Sequence, residues 1–281
     1  MGLGAITIGL AALLFARFAD SASGIFDGIV HRLWWAPLVV TPSAFAAIAW
    51  MTRRFAPEAA GSGIPQVIAA ADDPKRALDR LISPKTAIFK GIFTVIALLS
   101  GASVGREGPT VQISAAILGW FTRVFRAPMR ASMIIAGGAA GVAAAFNTPL
   151  AGVTFAIEEL ADAYEQRVAL LVMTTILIAG IVSLGLAGDY VYFGAVGQTL
   201  KAGAVLRIAP VAGVLGGLTG GLFARAMLNI GAARDRWFPF LRDRPVLWAL
   251  MCGAAVAVLG VATGLTWGTG YSAAHAIIDG T

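Results

Sequence analysis

Apolar runs follow one another almost without relief along this chain, and several are too short to cross a bilayer. They occupy about residues 3–16 (continuing amphipathically to 35), 36–51, 87–104, 111–125, 131–146, 149–160, 168–187, 205–230 and 245–265. A helix needs roughly 20 apolar residues to span the hydrocarbon core. Short runs parted by glycine-rich breaks therefore predict helices that enter the membrane partway and stop. The chain is 58% hydrophobic and 13% charged, with a mean hydropathy of +0.80. That balance predicts an all-α, polytopic membrane protein. Its 34 glycines suit close helix packing in lipid.

Several function classes are poorly supported. The net charge of +6 is modest and its basic residues sit in short loops, so nucleic-acid binding is not expected. Cys252 is the single cysteine, and His31 and His275 stand alone, so neither a metal site nor a cofactor is expected. No nucleophile–base pair or nucleotide loop is recognisable, and the chain does not read as an enzyme. The first run lacks a basic start and a small-residue cleavage site, which favours a membrane helix over a signal peptide. Lys75, Arg76, Arg80 and Lys85 mark a candidate cytoplasmic face, but Arg123, Arg126 and Arg130 fit either side.

Three breaks carry the chemistry. Gly105-Arg106-Glu107-Gly108-Pro109 interrupts hydrocarbon-compatible helix, and Pro109 suits a first helical turn. The N–H groups of Thr110, Val111 and Gln112 would then face out of a positive helix end, where an anion is favoured. Such a break is either a polar loop outside the bilayer or, within it, the lining of a watery cavity. Gly61-Ser62-Gly63-Ile64-Pro65 repeats the pattern before a short apolar helix, Val67 to Ala71. Alone it reads as a flexible loop. Paired with the break at Gly105, it would aim a second helix N-terminus and the Ser62 hydroxyl at one anion. The third break, Asn147-Thr148-Pro149, stops and restarts a helix that ends in Glu158 and Glu159. Adjacent residues sit about 100° apart around a helix, so at most one carboxylate faces a given pathway. It is either an interfacial charge or a proton carrier.

The chain also repeats itself. Gly9–Arg17 resembles Gly217–Arg225, offset by 208 residues, and Gly61-Ser62-Gly63 faces Gly268-Thr269-Gly270 at 207. This predicts one unit over 1–203 and the beginning of a second, truncated one over 204–281. A counterpart of Glu107 would fall beyond Thr281, and the start at Met1 also falls within an apolar helix.

The stretches from Gly61 to Pro65 and Gly105 to Pro109, with the run from Ala143 to Glu159, resemble the CLC family of chloride channels and proton-coupled chloride transporters. The motifs stand in the family's order and the resemblance covers essentially the whole chain. It implies an inverted-repeat membrane domain, a homodimer in the lipid bilayer with one anion pathway per subunit, and chloride and protons as substrates. By the same resemblance Ser62, Gly63, Ile64, Gly105, Arg106, Glu107 and Gly108 would bind the anion. Glu107 would be the gating glutamate and Glu159 the internal proton-transfer glutamate. Coupled chloride/proton antiport is therefore expected, with a passive channel or a truncated, non-transporting subunit as alternatives. A fluoride-specific relative is disfavoured by these motifs. Lys90 would either add positive potential near the pathway or snorkel to the interface, and Gln66, where relatives often carry glutamate, is expected to matter little. The family's Gly-x-Phe-x-Pro motif and chloride-binding tyrosine are not found, and Tyr164, Tyr190, Tyr192 and Tyr271 stand in the wrong contexts to replace that tyrosine. This polypeptide alone is accordingly expected not to transport chloride with family-like selectivity. A bacterial inner membrane is the expected location.

Overall fold

The computed structural model describes residues 2–160, 166–188 and 201–279. Among these the regular structure is helical: α1 (Gly2–Arg32), α2 (Pro37–Phe55), α3 (Ile64–Asp72), α4 (Pro74–Ala77), α5 (Pro84–Leu99), α6 (Glu107–Val124), α7 (Ala131–Phe146), α8 (Pro149–Phe155), α9 (Gln166–Ala187), α10 (Ala202–Trp237), α11 (Pro245–Thr263) and α12 (Tyr271–Asp279). A π-helical turn, Ala156–Leu160, continues α8. Four helices, α1, α9, α10 and α11, have stretches long and apolar enough to cross a membrane. The others are short or broken, as a polytopic helical membrane protein with partially spanning helices requires.

Proline and small polar residues set many of the boundaries. Proline stands in the first turn of α2, α3, α4, α5, α8 and α11, where its missing N–H costs no helical bond. Ser83 caps α5 by accepting from the Thr86 N–H at 3.1 Å. Asn147 ends α7 in the left-handed conformation (φ 56°, ψ 30°), and its amide donates to the Gly188 carbonyl at 3.2 Å. The chain then turns sharply into Pro149.

The core forms where α6, α7 and α9 pack together with α1 and α3. Val111, Ala115 and Leu118 of α6 meet Ile134, Ala136 and Ala140 of α7 within one buried cluster. Small residues let the backbones approach: a Cβ at Gly137 would lie 2.9 Å from the Ala115 Cα, and one at Gly152 would lie 2.8 Å from the Ala139 carbonyl oxygen. Apart from this body, α11 packs along α2, with Gly253 against Pro42 and Phe45. Helix α10 is exposed along nearly its whole length, including Leu206, Leu222 and Leu228.

Two boundaries differ from those expected of the sequence. Helix α6 begins at Glu107, so Pro109 is its third residue and the Thr110 N–H is consumed by the Arg106 carbonyl at 3.1 Å. The amides directed out of the helix end are therefore those of Glu107 and Gly108, not those of Thr110, Val111 and Gln112. Helix α3 likewise begins at Ile64, and α12 follows Gly270 where the sequence shows no separate apolar run.

Candidate anion site

The two glycine breaks meet back to back. Gly63 has φ 117°, a conformation that L side chains rarely adopt, and a Cβ there would collide with the Gly108 carbonyl oxygen. Reciprocally, a Cβ on Gly108 would lie 2.6 Å from the Ser62 carbonyl oxygen. Only glycine at both positions permits this approach, and it brings the N-termini of α3 and α6 to the same place. Each helix end contributes the positive end of its macrodipole.

A cavity of about 590 Å³ opens at this meeting point. Gly61, Ser62, Ile64, Gly105, Glu107 and Gly108 line it, together with Lys90 from α5. Gly63 is buried behind the lining as the packing hinge. The convergence expected from the two motifs is thus present in the geometry.

Lys90 does not snorkel. It is 3% exposed, and its ammonium donates to the Ala59 carbonyl at 3.0 Å and to the Gly61 carbonyl. Its charge thereby holds the loop that carries Ser62. A cation so placed supplies positive potential to the cavity wall and fixes the loop at the same time. The Gln66 amide, expected to matter little, donates to the Ala60 carbonyl and clips the same loop. Behind α6, the fully buried Gln112 amide donates to Glu58 and Leu81 carbonyls at 3.1 and 2.7 Å, tying α6 to both segments flanking α3.

Arg106 takes a different part from the one expected. Its side chain is buried, does not line the cavity, and turns to α1, pairing with Asp20 at 2.6 Å and donating to the Ala16 carbonyl at 3.2 Å. The guanidinium pairs with the Asp20 carboxylate and so anchors the break to α1. Glu107 folds back over Gly105, where a Cβ would collide with its Oε2. Its Oε1 accepts a hydrogen bond from the Tyr271 hydroxyl, and the Arg106 guanidinium lies 5.3 Å from the centre of the Tyr271 ring. Tyr271 is thus a site residue that its sequence context does not reveal. Tyr164, Tyr190 and Tyr192 lie outside the described residues.

Glu159 falls within the π-helical turn after α8, and its side chain is not among those described; the neighbouring Glu158 is exposed. A π-turn adds a residue to a helix and shifts the phase of the residues beyond it. No cluster of three or more His, Cys, Asp or Glu suited to a metal occurs among the described residues.

Comparison with known proteins places this geometry. The family model described as "Voltage gated chloride channel" matches residues 43–281. The chain is 36% identical over 159 residues to the "H(+)/Cl(-) exchange transporter ClcA" of Vibrio vulnificus, a match covering 56% of this chain and 33% of that protein. The protein of the same name in Salmonella arizonae is 32% identical over 237 residues, covering 82% of this chain and 48% of that protein. The chain thus spans about half the length of this relative. Its fold also matches the crystal structure of a slow cyanobacterial Cl-/H+ antiporter, with a TM-score of 0.76 at 23% identity over 92% of this chain and 63% of that one.

Proposed function

This chain belongs to the voltage-gated chloride channel family, and from that premise we propose that it supplies one wall of the anion pathway of a chloride/proton antiporter. The observation that carries this reading is the meeting of two helix N-termini, through Gly63 and Gly108, at a cavity bearing Ser62, Lys90 and Glu107. Helix-end amides and a buried ammonium replace the hydration shell of a small anion without moving. The Glu107 carboxylate carries the same charge as that anion and borders the same space, so it competes for the site when ionised and withdraws when protonated or displaced. Gly105, Arg106 and Gly108 shape the break that aims it, with Arg106 acting through its bond to Asp20. Glu159 is assigned the internal end of the proton route.

The relatives named as H(+)/Cl(-) exchange transporters support antiport over passive conduction. We further assign residues 1–203 to one structural repeat and 204–281 to the beginning of a second. In support, Gly61 and Gly63 (φ 76° and 117°) and Gly268 and Gly270 (φ 73° and 83°) each precede a nine-residue helix. A homodimer in a bacterial inner membrane is the assembly in which this function would operate.

The test is flux from proteoliposomes holding the protein in the assembly isolated from its own membrane, with chloride and proton movement recorded together. Antiport predicts proton uptake opposite to chloride, and Glu159→Ala is expected to abolish proton movement while chloride flux persists. Chloride flux without proton movement in the unaltered protein, unchanged by Glu159→Ala, would establish a channel instead.

A further inference from the structure

Tyr271 reaches Glu107 from the far end of the chain, and everything around it serves to hold it there. Its loop is docked by a bridge between Ser103 and Gly268, just ahead of the Gly105 break. Gly268 and Gly270 take positive φ, which turns the chain tightly into α12 and puts Tyr271 at its first position. The Arg106 guanidinium lies over the ring, and Asp20 of α1 holds that guanidinium in turn. Asp20, Ser23, Trp267 and Tyr271 line a second cavity of about 300 Å³. Glu107 lines the first cavity, with Ser62 and Lys90, and Tyr271 lines the second. The Glu107 carboxylate therefore stands at the partition between them, drawn to its Tyr271 side.

We propose that Tyr271 is the catch for the gate: a positioning residue whose hydroxyl holds the Glu107 carboxylate at the edge of the anion cavity, on its Tyr271 side. This rests on the reading of Glu107 as the competitor of the anion. While the carboxylate accepts from the phenol, the space between Ser62 and Lys90 is open to chloride. When it leaves the phenol, it can turn to the helix-end amides and the Lys90 ammonium that border the anion cavity with it, and it takes the anion's place. Arg106 and Asp20 act one step back, by setting the height of the ring. The catch thus determines how much of the intrinsic affinity of the cavity chloride can use.

The experiment is isothermal titration of the purified protein with chloride at neutral pH, which requires no flux. Tyr271→Phe keeps the ring and removes the donor, and is expected to weaken chloride binding about tenfold, the order of one hydrogen bond to a charged group. In a Glu107→Gln background the same substitution should have no further effect, because the competing carboxylate is gone. A phenylalanine variant that binds chloride as the unaltered protein does, while Glu107→Gln changes binding, overturns the catch and leaves the gate reading intact. An equal loss in both backgrounds also overturns it, since Tyr271 would then act on the fold or on the anion directly. If Glu107→Gln leaves binding unchanged, or the unaltered protein binds no chloride, the gate reading fails and the catch with it. Should Tyr271→Phe not fold, 3-fluorotyrosine placed at 271 preserves the shape with a stronger donor. It should tighten chloride binding, and unchanged or weakened binding would overturn the proposal.

Discussion

Replacing Gly63 by alanine tests the meeting of the two helix ends directly. At φ 117° an L side chain is strained by about 1–3 kcal/mol. The new methyl would also strike the Gly108 carbonyl, which is backbone and cannot rotate away. Forcing α3 from α6 by the missing space adds an overpacking cost of about 1–3 kcal/mol. Gly61→Ala provides the internal control. Its φ of 76° carries a strain of about 1–2 kcal/mol, but the nearest atom to its Cβ is the Gln66 amide nitrogen at 3.1 Å, the end of a flexible side chain. The difference between the variants therefore isolates the close approach. Thermal unfolding in detergent and chloride titration are measured on both. Gly63→Ala should be the less stable by about 1–3 kcal/mol and, as the amides part, should bind chloride at least about tenfold more weakly. Equal behaviour of the two variants would refute the claim that the glycine contact builds the site.

The surrounding contacts carry further expected outcomes. Lys90→Met should weaken chloride binding and loosen the Gly61 loop, read as faster backbone hydrogen exchange at residues 59–63, because two carbonyls lose their cation. Gln112→Leu should cost about 2–4 kcal/mol of stability by taking the Gln112 donor from the part-buried Glu58 and Leu81 carbonyls. Gln112→Glu should unfold at a still lower temperature at neutral pH, since it sets a carboxylate against those carbonyls. Gly216→Ala, in α10 with nothing within 4 Å of its Cβ, should leave both thermal stability and chloride binding unimpaired.

How much of the fold and site is legible in the sequence depends on how local each cause is. Glycine and proline act on their own backbone, so the breaks at Gly61–Pro65 and Gly105–Pro109, and the helix starts that follow them, can be read from spacing. The start of α6 at Glu107 is not legible because proline is tolerated throughout the first turn, and its presence alone does not say which residue of that turn it occupies. Lys90 cannot be resolved in the same way: a lysine in an apolar helix has the same local pattern whether it snorkels or ties down a distant loop. Arg106 looks like an anion ligand because its partner, Asp20, lies 86 positions away. Tyr271 is less visible still, since its hydroxyl meets a carboxylate 164 positions earlier. Its own surroundings announce only the start of a short helix.

The paired left-handed glycines also bear on how such a chain tolerates sequence drift. At Gly61, Gly63, Gly268 and Gly270 the constraint is the handedness of the backbone, which L residues meet only with strain. The residue between each pair is under no such restriction, and here it is Ser62 in one loop and Thr269 in the other. Two halves descended from one ancestral unit could therefore lose almost every shared side chain and still keep the beat of glycine, any residue, glycine ahead of a nine-residue helix. Searches for decayed duplications should weight that rhythm of backbone handedness above residue identity. Substitution rates at the middle residue would then report ligand preference, while those at its glycine neighbours report only geometry.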